Sequence, residues 1–256
     1  MPDVIIRRHG VRAVVLDIEG TVGSAGHVRE VLFPYARDRI APWFAQRRGT
    51  AVHAELLRDV QECADDPSLD EDAAVRTLLA WSDGDVKARP LKAVQSLIWA
   101  DGYADGTLHG HVYPEVPAAL ERWRGAGLAP FVYSSGAKAA QRDWFAHSDA
   151  GDLTGLLDGY FDLTDAGPKQ DPASYRYIAH SIGMPARSLV FLNDTSAELD
   201  AASAAGWQTV AIRRDDDPCA VCSTHYPTAR SLDQLVLVPA DGAETVPRST
   251  PEARRS

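Results

Sequence analysis

Long apolar runs are missing from this chain of 256 residues. No stretch approaches the roughly 20 residues needed to span a bilayer, so no membrane partner is expected. A signal-peptide pattern is also missing, because the segment from Met1 to Arg12 is polar. A cytoplasmic setting is the resulting expectation. Cysteine is scarce, at three residues: Cys63 stands alone, and Cys219 and Cys222 form one C-x-x-C. With no second pair nearby, a zinc site there would lack half its ligands, and the pair reads as an ordinary loop. Cations are also in short supply. Lys and Arg number 26 against 36 Asp and Glu, for a net charge of -10. Such a surface repels nucleic acid and anionic lipid. A phosphate ester can still bind, but only through local cations, backbone N–H groups or a metal ion.

What is present is an ordinary globular composition, 45% apolar and 24% charged, long enough for one large domain or a domain with a substantial insertion. The run Ala13-Val14-Val15-Leu16 is β-branched and unbroken, as expected of a strand covered on both faces, and it ends at Asp17. From about Gly23 to Tyr113 the pattern is helical. Val28, Val31, Leu32 and Tyr35 suggest a first helix, which Pro34 should kink or break. Leu56, Leu57 and Val60 mark a second. Val75, Leu78 and Leu79 mark a third, with Ser68 or Asp70 as its cap. Leu91, Val94, Leu97 and Ile98 mark a fourth, after Pro90.

Beyond Pro114 strands and helices alternate. Helices are expected near 116–124, 139–145 and 174–182, and another carries Ala201, Ala202, Ala204 and Ala205 and stops at Gly206. Strands are expected at Phe131–Tyr133, Tyr160–Leu163, Leu189–Leu192 and Thr209–Ile212. This alternation predicts an α/β fold with a doubly wound, Rossmann-like parallel sheet. It divides the chain into a core of residues 10–22 and 114–215 and an all-helical insertion of 23–113. Residues 239–256 read as a disordered tail.

Open sheets of this kind bind ligands at the carboxyl ends of their strands. Those ends carry Asp17-Ile18-Glu19-Gly20-Thr21, then Ser134 and Ser135, then Lys169 in the loop after the third strand, then Asn193 and Asp194. Hard carboxylate oxygens suit Mg²⁺, and hydroxyls with a lysine suit phosphoryl oxygens. Asp17 is placed to attack phosphorus. Glu19, two residues on, is placed to protonate the leaving oxygen and later to take a proton from water. Asp194 would bind Mg²⁺ with Asp17 and a backbone carbonyl, and Ser134 and Lys169 would hold the equatorial oxygens.

These four blocks, in this order, resemble the haloacid-dehalogenase-like phosphatases. Asp-Ile-Glu-Gly-Thr is similar to the enolase-phosphatase (acireductone synthase) family of methionine salvage. So are Ile98-Trp99, Gly102-Tyr103, Gly106, Gly110-His111-Val112-Tyr113-Pro114, Val132-Tyr133-Ser134-Ser135-Gly136 with Gln141, Gly167 and Lys169 with Ser174-Tyr175, and Phe191-Leu192 with Asp194, Glu198 and Ala201-Ala202. The likeness runs from about Ala13 to Ile212. It implies a five-strand parallel core and a mobile cap formed by the inserted helices. It also implies enolisation of 2,3-diketo-5-methylthiopentyl-1-phosphate followed by loss of phosphate, giving 1,2-dihydroxy-3-keto-5-methylthiopentene. Carried onto this chain, the resemblance gives Asp17, Glu19 (through its main chain) and Asp194 as the magnesium site, and Ser134, Ser135 and Lys169 as substrate contacts. A monomer acting on a small phosphorylated substrate is expected.

Plainer readings exist for each residue. Ser134 and Ser135 fit a helix N-cap as well as an anion site. Glu198 fits either a group orienting Asp194 or a first-turn helix acid. His109 and His111 read as structural, Trp99 and Tyr103 as core aromatics, and Asp215-Asp216-Asp217 as a solvated turn. Three other functions share the chemistry. One is a phosphatase of another small ester without an enolase step. Another is a phospho-receiver signalling module, which the insertion argues against. The last is a dehalogenase, which needs no magnesium.

Overall fold

A computed structural model describes residues 5–215 and 225–240. At its centre β2 (Ala13–Leu16) pairs in parallel with β3 (Ala129–Tyr133) on one side and β5 (Leu189–Asn193) on the other. Adding β4 (Gly159–Phe161), β6 (Gln208–Ile212) and β7 (Thr228–Ala229) gives a six-stranded sheet in the order β4-β3-β2-β5-β6-β7. Every pairing in it is parallel.

Side chains alternate between the two faces of such a sheet. Val14, Leu16, Val132, Val190, Leu192 and Val210 enter one buried cluster. Ala13, Val15, Tyr133, Leu189 and Phe191 enter the other, with Tyr175 and Ile178 of α8 (Pro172–Ile182) and Leu199 of α9 (Ser196–Ala204). The helices α6 (Val116–Gly125) and α7 (Lys138–Ala146) cover the first face through Val116, Leu120, Trp123, Trp144 and Phe145. The strand order reverses around β2, so its carboxyl end opens into the crevice where doubly wound sheets place ligands.

Between β2 and β3 the chain forms the helices α1 (Ala25–His27), α2 (Phe33–Arg47), α3 (Ala51–Cys63), α4 (Glu71–Asp83) and α5 (Arg89–Ala104). They bury a separate cluster that includes Ile40, Trp43, Phe44, Leu56, Leu78, Leu91, Val94 and Ile98. Asp70 is the cap of α4, accepting from the Ala73 N–H at 2.8 Å. Thr50 does the same for α3.

Pro34 does not break its segment. A π-helical turn, Val28–Leu32, joins α1 to α2 just ahead of Pro34, so the helix passes the proline through a locally widened turn. Val31 and Leu97, read as core positions, are exposed instead.

Two further strands escaped the pattern reading. Residues Ile6–Val11 form β1, which pairs in parallel with β8 (Leu235–Pro239) as a separate two-stranded sheet. Pro239, assigned to the tail, is the last residue of β8; the tail from 241 onward lies outside the described residues, as do Cys219 and Cys222. The five strands expected for the core become six through β7. Leu163, expected in a strand, lies beyond β4 and is exposed. Among the described residues no helix is long and apolar enough to cross a membrane.

Candidate active site

Asp17 follows β2 directly, and its N–H donates to the Leu192 carbonyl at 3.1 Å, so the β2–β5 ladder continues through the residue that carries the carboxylate. Its side chain is buried and lies 2.9 Å from Nζ of Lys169. Lys169 is delivered by the loop after β4, which Tyr133 and Tyr175 anchor by donating their hydroxyls to the carbonyls of Gly167 and Lys169, each at 2.8 Å. The same ammonium lies 2.6 Å from Oε2 of Glu198, which also accepts from Nδ2 of Asn193 at 2.6 Å. Gln170 donates to the other Glu198 oxygen at 3.1 Å. Glu198 is therefore the first-turn acid of α9, as one reading of the sequence has it, and its carboxylate holds Lys169 directly, with no direct contact to Asp194. Asn193 also accepts from the Asp194 N–H at 2.8 Å.

Between Asp17 and the inserted helices the chain makes a tight loop. The N–H groups of Thr21, Val22 and Gly23 all point to the Ile18 carbonyl, at 2.8–3.2 Å. Gly20 has φ of 68°, and a Cβ there would stand 2.5 Å from Oδ2 of Asp194. Only glycine lets the Asp194 carboxylate rest against this loop.

Asp17 and Glu198 both contact a single ammonium, and Asp194 is close enough to feel the same charge. Burial pushes the Asp17 carboxyl up to about 7, with Lys169 opposing and Glu198 and Asp194 adding to the shift. Burial likewise raises Glu19 and Asp194 above the usual carboxylate range. Burial acts to lower the Lys169 pKa, but Asp17 and Glu198 hold it above the ordinary lysine value. Crowded carboxylates with too few cations are what a divalent ion would relieve, and the donors are the hard oxygens that Mg²⁺ takes. No group of three His, Cys, Asp or Glu side chains is gathered for a metal among the described residues.

A cavity of about 1060 Å³ separates the sheet edge from the inserted helices. Its core side carries Ile18, Glu19, Ser134, Ser135 and Gly136, and its helical side carries Arg29, Phe33, Lys87, Trp99 and Tyr103. Gln141 shapes the core side by donating to the carbonyls of Ser134, Gly136 and Phe161. Trp99 and Tyr103, read as core aromatics, line the cavity as well as packing: Nε1 of Trp99 donates to the Leu32 carbonyl at 2.8 Å. Nδ1 of His111 accepts from the Ser24 N–H at 3.1 Å, and the His27 ring meets the His109 carbonyl at 3.0 Å. His111 is thus structural, while His109 contributes its carbonyl and leaves its ring exposed. Arg214 was not singled out at all. It is a buried cation two residues past β6, a position that the survey of strand ends passed over.

The site and fold define a hydrolase class, and comparison with known proteins agrees. The model of the haloacid dehalogenase-like hydrolases matches residues 11–206, and the chain belongs to that family. The enolase-phosphatase E1 of Nocardia farcinica is 48% identical over 206 residues, covering 80% of this chain and 88% of that protein. That of Frankia alni is 46% identical over 230 residues, covering 90% and 97%. Within the hydrolases, then, the chain belongs to the enolase-phosphatases, and it is a phosphatase. Among solved structures, UTR4 protein from Saccharomyces cerevisiae superimposes with a TM-score of 0.74 at 28% identity, covering 87% of this chain and 98% of that one. Membership among hydrolases removes the phospho-receiver reading.

Proposed function

We propose that the chain is a magnesium-dependent enolase-phosphatase of methionine salvage, acting on 2,3-diketo-5-methylthiopentyl-1-phosphate through an aspartyl phosphate at Asp17. The observation that carries this is the buried Asp17 carboxylate, fixed at the central strand tip and paired with Lys169 at 2.9 Å. The relatives' name, enolase-phosphatase E1, supports an enolase step joined to a phosphatase step.

Enolisation removes a proton from carbon 1, beside the carbon 2 carbonyl, and leaves an enol that still carries phosphate. In the transfer step an Asp17 oxygen bonds to phosphorus and the ester P–O bond breaks. Glu19 gives its proton to the departing oxygen. Its raised pKa suits a group that must hold a proton. Water then attacks phosphorus and passes a proton to Glu19, and the Asp17–phosphorus bond breaks. Inorganic phosphate leaves, and the carboxylate is restored. Lys169 and Ser134 neutralise and orient the phosphoryl oxygens, with Ser135 beside them at the cavity wall. Asp17, Asp194 and the Glu19 main-chain oxygen would hold Mg²⁺, which supplies charge neutralisation between an anionic nucleophile and an anionic ester.

The direct test is anaerobic turnover of that diketo phosphate with Mg²⁺, following enol absorbance and phosphate together. Both signals, absorbance first, are the expected result. Phosphate release only from other small esters would leave a phosphatase without the enolase step.

A further inference from the structure

The two linkers that join the inserted helices to the core run side by side. The Tyr113 N–H donates to the Val22 carbonyl at 3.0 Å. A Cβ on Gly23 would stand 2.7 Å from the His111 carbonyl oxygen. One side chain reaches both linkers from the core. The Arg214 guanidinium donates from Nε at 2.9 Å and from Nη2 at 2.5 Å to a single acceptor, the Thr21 carbonyl. Its Nη1 donates to Oε1 of Glu115 at 2.6 Å and to the Arg230 carbonyl at 3.1 Å. Its plane lies over the Tyr113 ring, 3.9 Å from the ring centre. The same Glu115 oxygen also accepts from the Leu232 N–H at 3.2 Å.

Thr21 is the fourth residue after the nucleophile and lies beside Gly20, on which the Asp194 carboxylate rests. A buried carbonyl in a loop must find a donor, and here it receives two from one guanidinium. Arginine suits this place because its rigid fork can serve the outgoing linker, the returning linker and the segment after β7 at once. A buried ion pair of this kind is weak evidence for stability, since burial takes both charges out of water. The geometry instead suits alignment.

We propose that Arg214 is a positioning residue. It locks the loop that carries Asp17, Glu19 and Gly20 to the core side of both linkers. Movement of the helical insertion is thereby confined to residues beyond the lock, and the catalytic loop stays in register with Asp194. The kinetic part of this inference rests on the proposed phosphoryl transfer at Asp17.

The test compares the full chain with Arg214→Lys, which keeps the charge beside Glu115, and with the double variant Arg214→Met/Glu115→Gln, which leaves no lone buried charge. Turnover of the diketo phosphate and amide hydrogen exchange are measured on each. Displacing a catalytic loop by about 1 Å is expected to lower kcat by roughly 100-fold with KM little changed, the lysine variant losing less than the double variant. Exchange should quicken in segments 18–24, 111–115 and 230–232, the three that the Arg214–Glu115 pair joins, and be unchanged elsewhere. The proposal is overturned if both variants keep kcat near the wild-type value. It is also overturned if exchange quickens throughout the chain and activity merely follows the folded fraction. Absence of turnover in the wild-type chain would instead remove the proposed function, and the exchange pattern alone would then decide the lock.

Discussion

The two walls of the cavity are built on opposite terms. Behind the sheet side a set of buried charges is tied to several partners each: Lys169 to Asp17 and Glu198, Glu198 to Asn193 and Gln170, Arg214 to Thr21 and Glu115, while Glu19 stands exposed at the cavity wall. On the helical side the ion pairs are exposed, as with Arg37–Asp83, Lys87–Asp85 and Arg89–Glu62. Buried, fully satisfied networks fix geometry, whereas exposed pairs are screened by water and hold little in place. Under the proposed function, this contrast puts the bond-breaking step on a rigid wall and the recognition of a particular ester on an adaptable one.

The sharpest way to break that contrast is Asp17→Asn. Phosphate release should fall by at least about 10⁴-fold, as for loss of a nucleophile. Stability should behave otherwise. The Asp17 carboxyl is raised to about 7 in the folded chain, above its unfolded value near 4. The folded state therefore holds the proton more tightly, and this group withdraws stability as pH rises through that window. Lys169 keeps Glu198 as a partner. The metal-free variant should thus melt no lower than the wild type at pH 8, and the rise in Tm on adding Mg²⁺ should shrink. A lower Tm with an unchanged Mg²⁺ response would show that Asp17 serves the fold instead.

Glu19→Gln should slow turnover by roughly 10³-fold, within the range for a lost acid–base group, and its circular dichroism should be unchanged. Turnover near normal would take Glu19 out of proton transfer. Gly20→Ala comes next. Its Cβ must displace the Asp194 carboxylate and accept a left-handed backbone, so activity should drop about 100-fold, partly recovered by high Mg²⁺. Glu198→Gln removes one anion from Lys169 while keeping an acceptor. A loss of some tenfold in kcat is expected, as for groups that orient others. At the small end, Arg37→Ala breaks an exposed pair on the adaptable wall and should leave both kcat and Tm unchanged within error.

Much of the rigid wall was legible in the chain. The unbroken apolar run Ala13–Leu16, with Val14 and Val15 at its centre, fits a covered strand, and the strand-tip rule then brings Asp17, Ser134, Lys169 and Asp194 to one edge. The inserted helices were legible from their apolar spacing, though the π turn at Val28–Leu32 was not, since it leaves no composition signal. What stayed hidden depends on pairing across the chain. β1 carries Arg7, Arg8 and His9 in succession between Ile6 and Gly10-Val11, with no apolar alternation, and acquires its strand character only from β8, far away in sequence. Glu198 and Lys169 carry no local mark of their contact, and Arg214 is an ordinary surface residue until Thr21 is folded beneath it.

The most direct test of the central claim is chemical trapping at Asp17. Enzyme in steady turnover with Mg²⁺ is quenched, treated with borohydride to reduce any acyl phosphate, and digested for peptide mass analysis. Homoserine at position 17, absent without substrate and absent in Asp17→Asn, is the predicted result. Full phosphate release with an unmodified Asp17 peptide would contradict it.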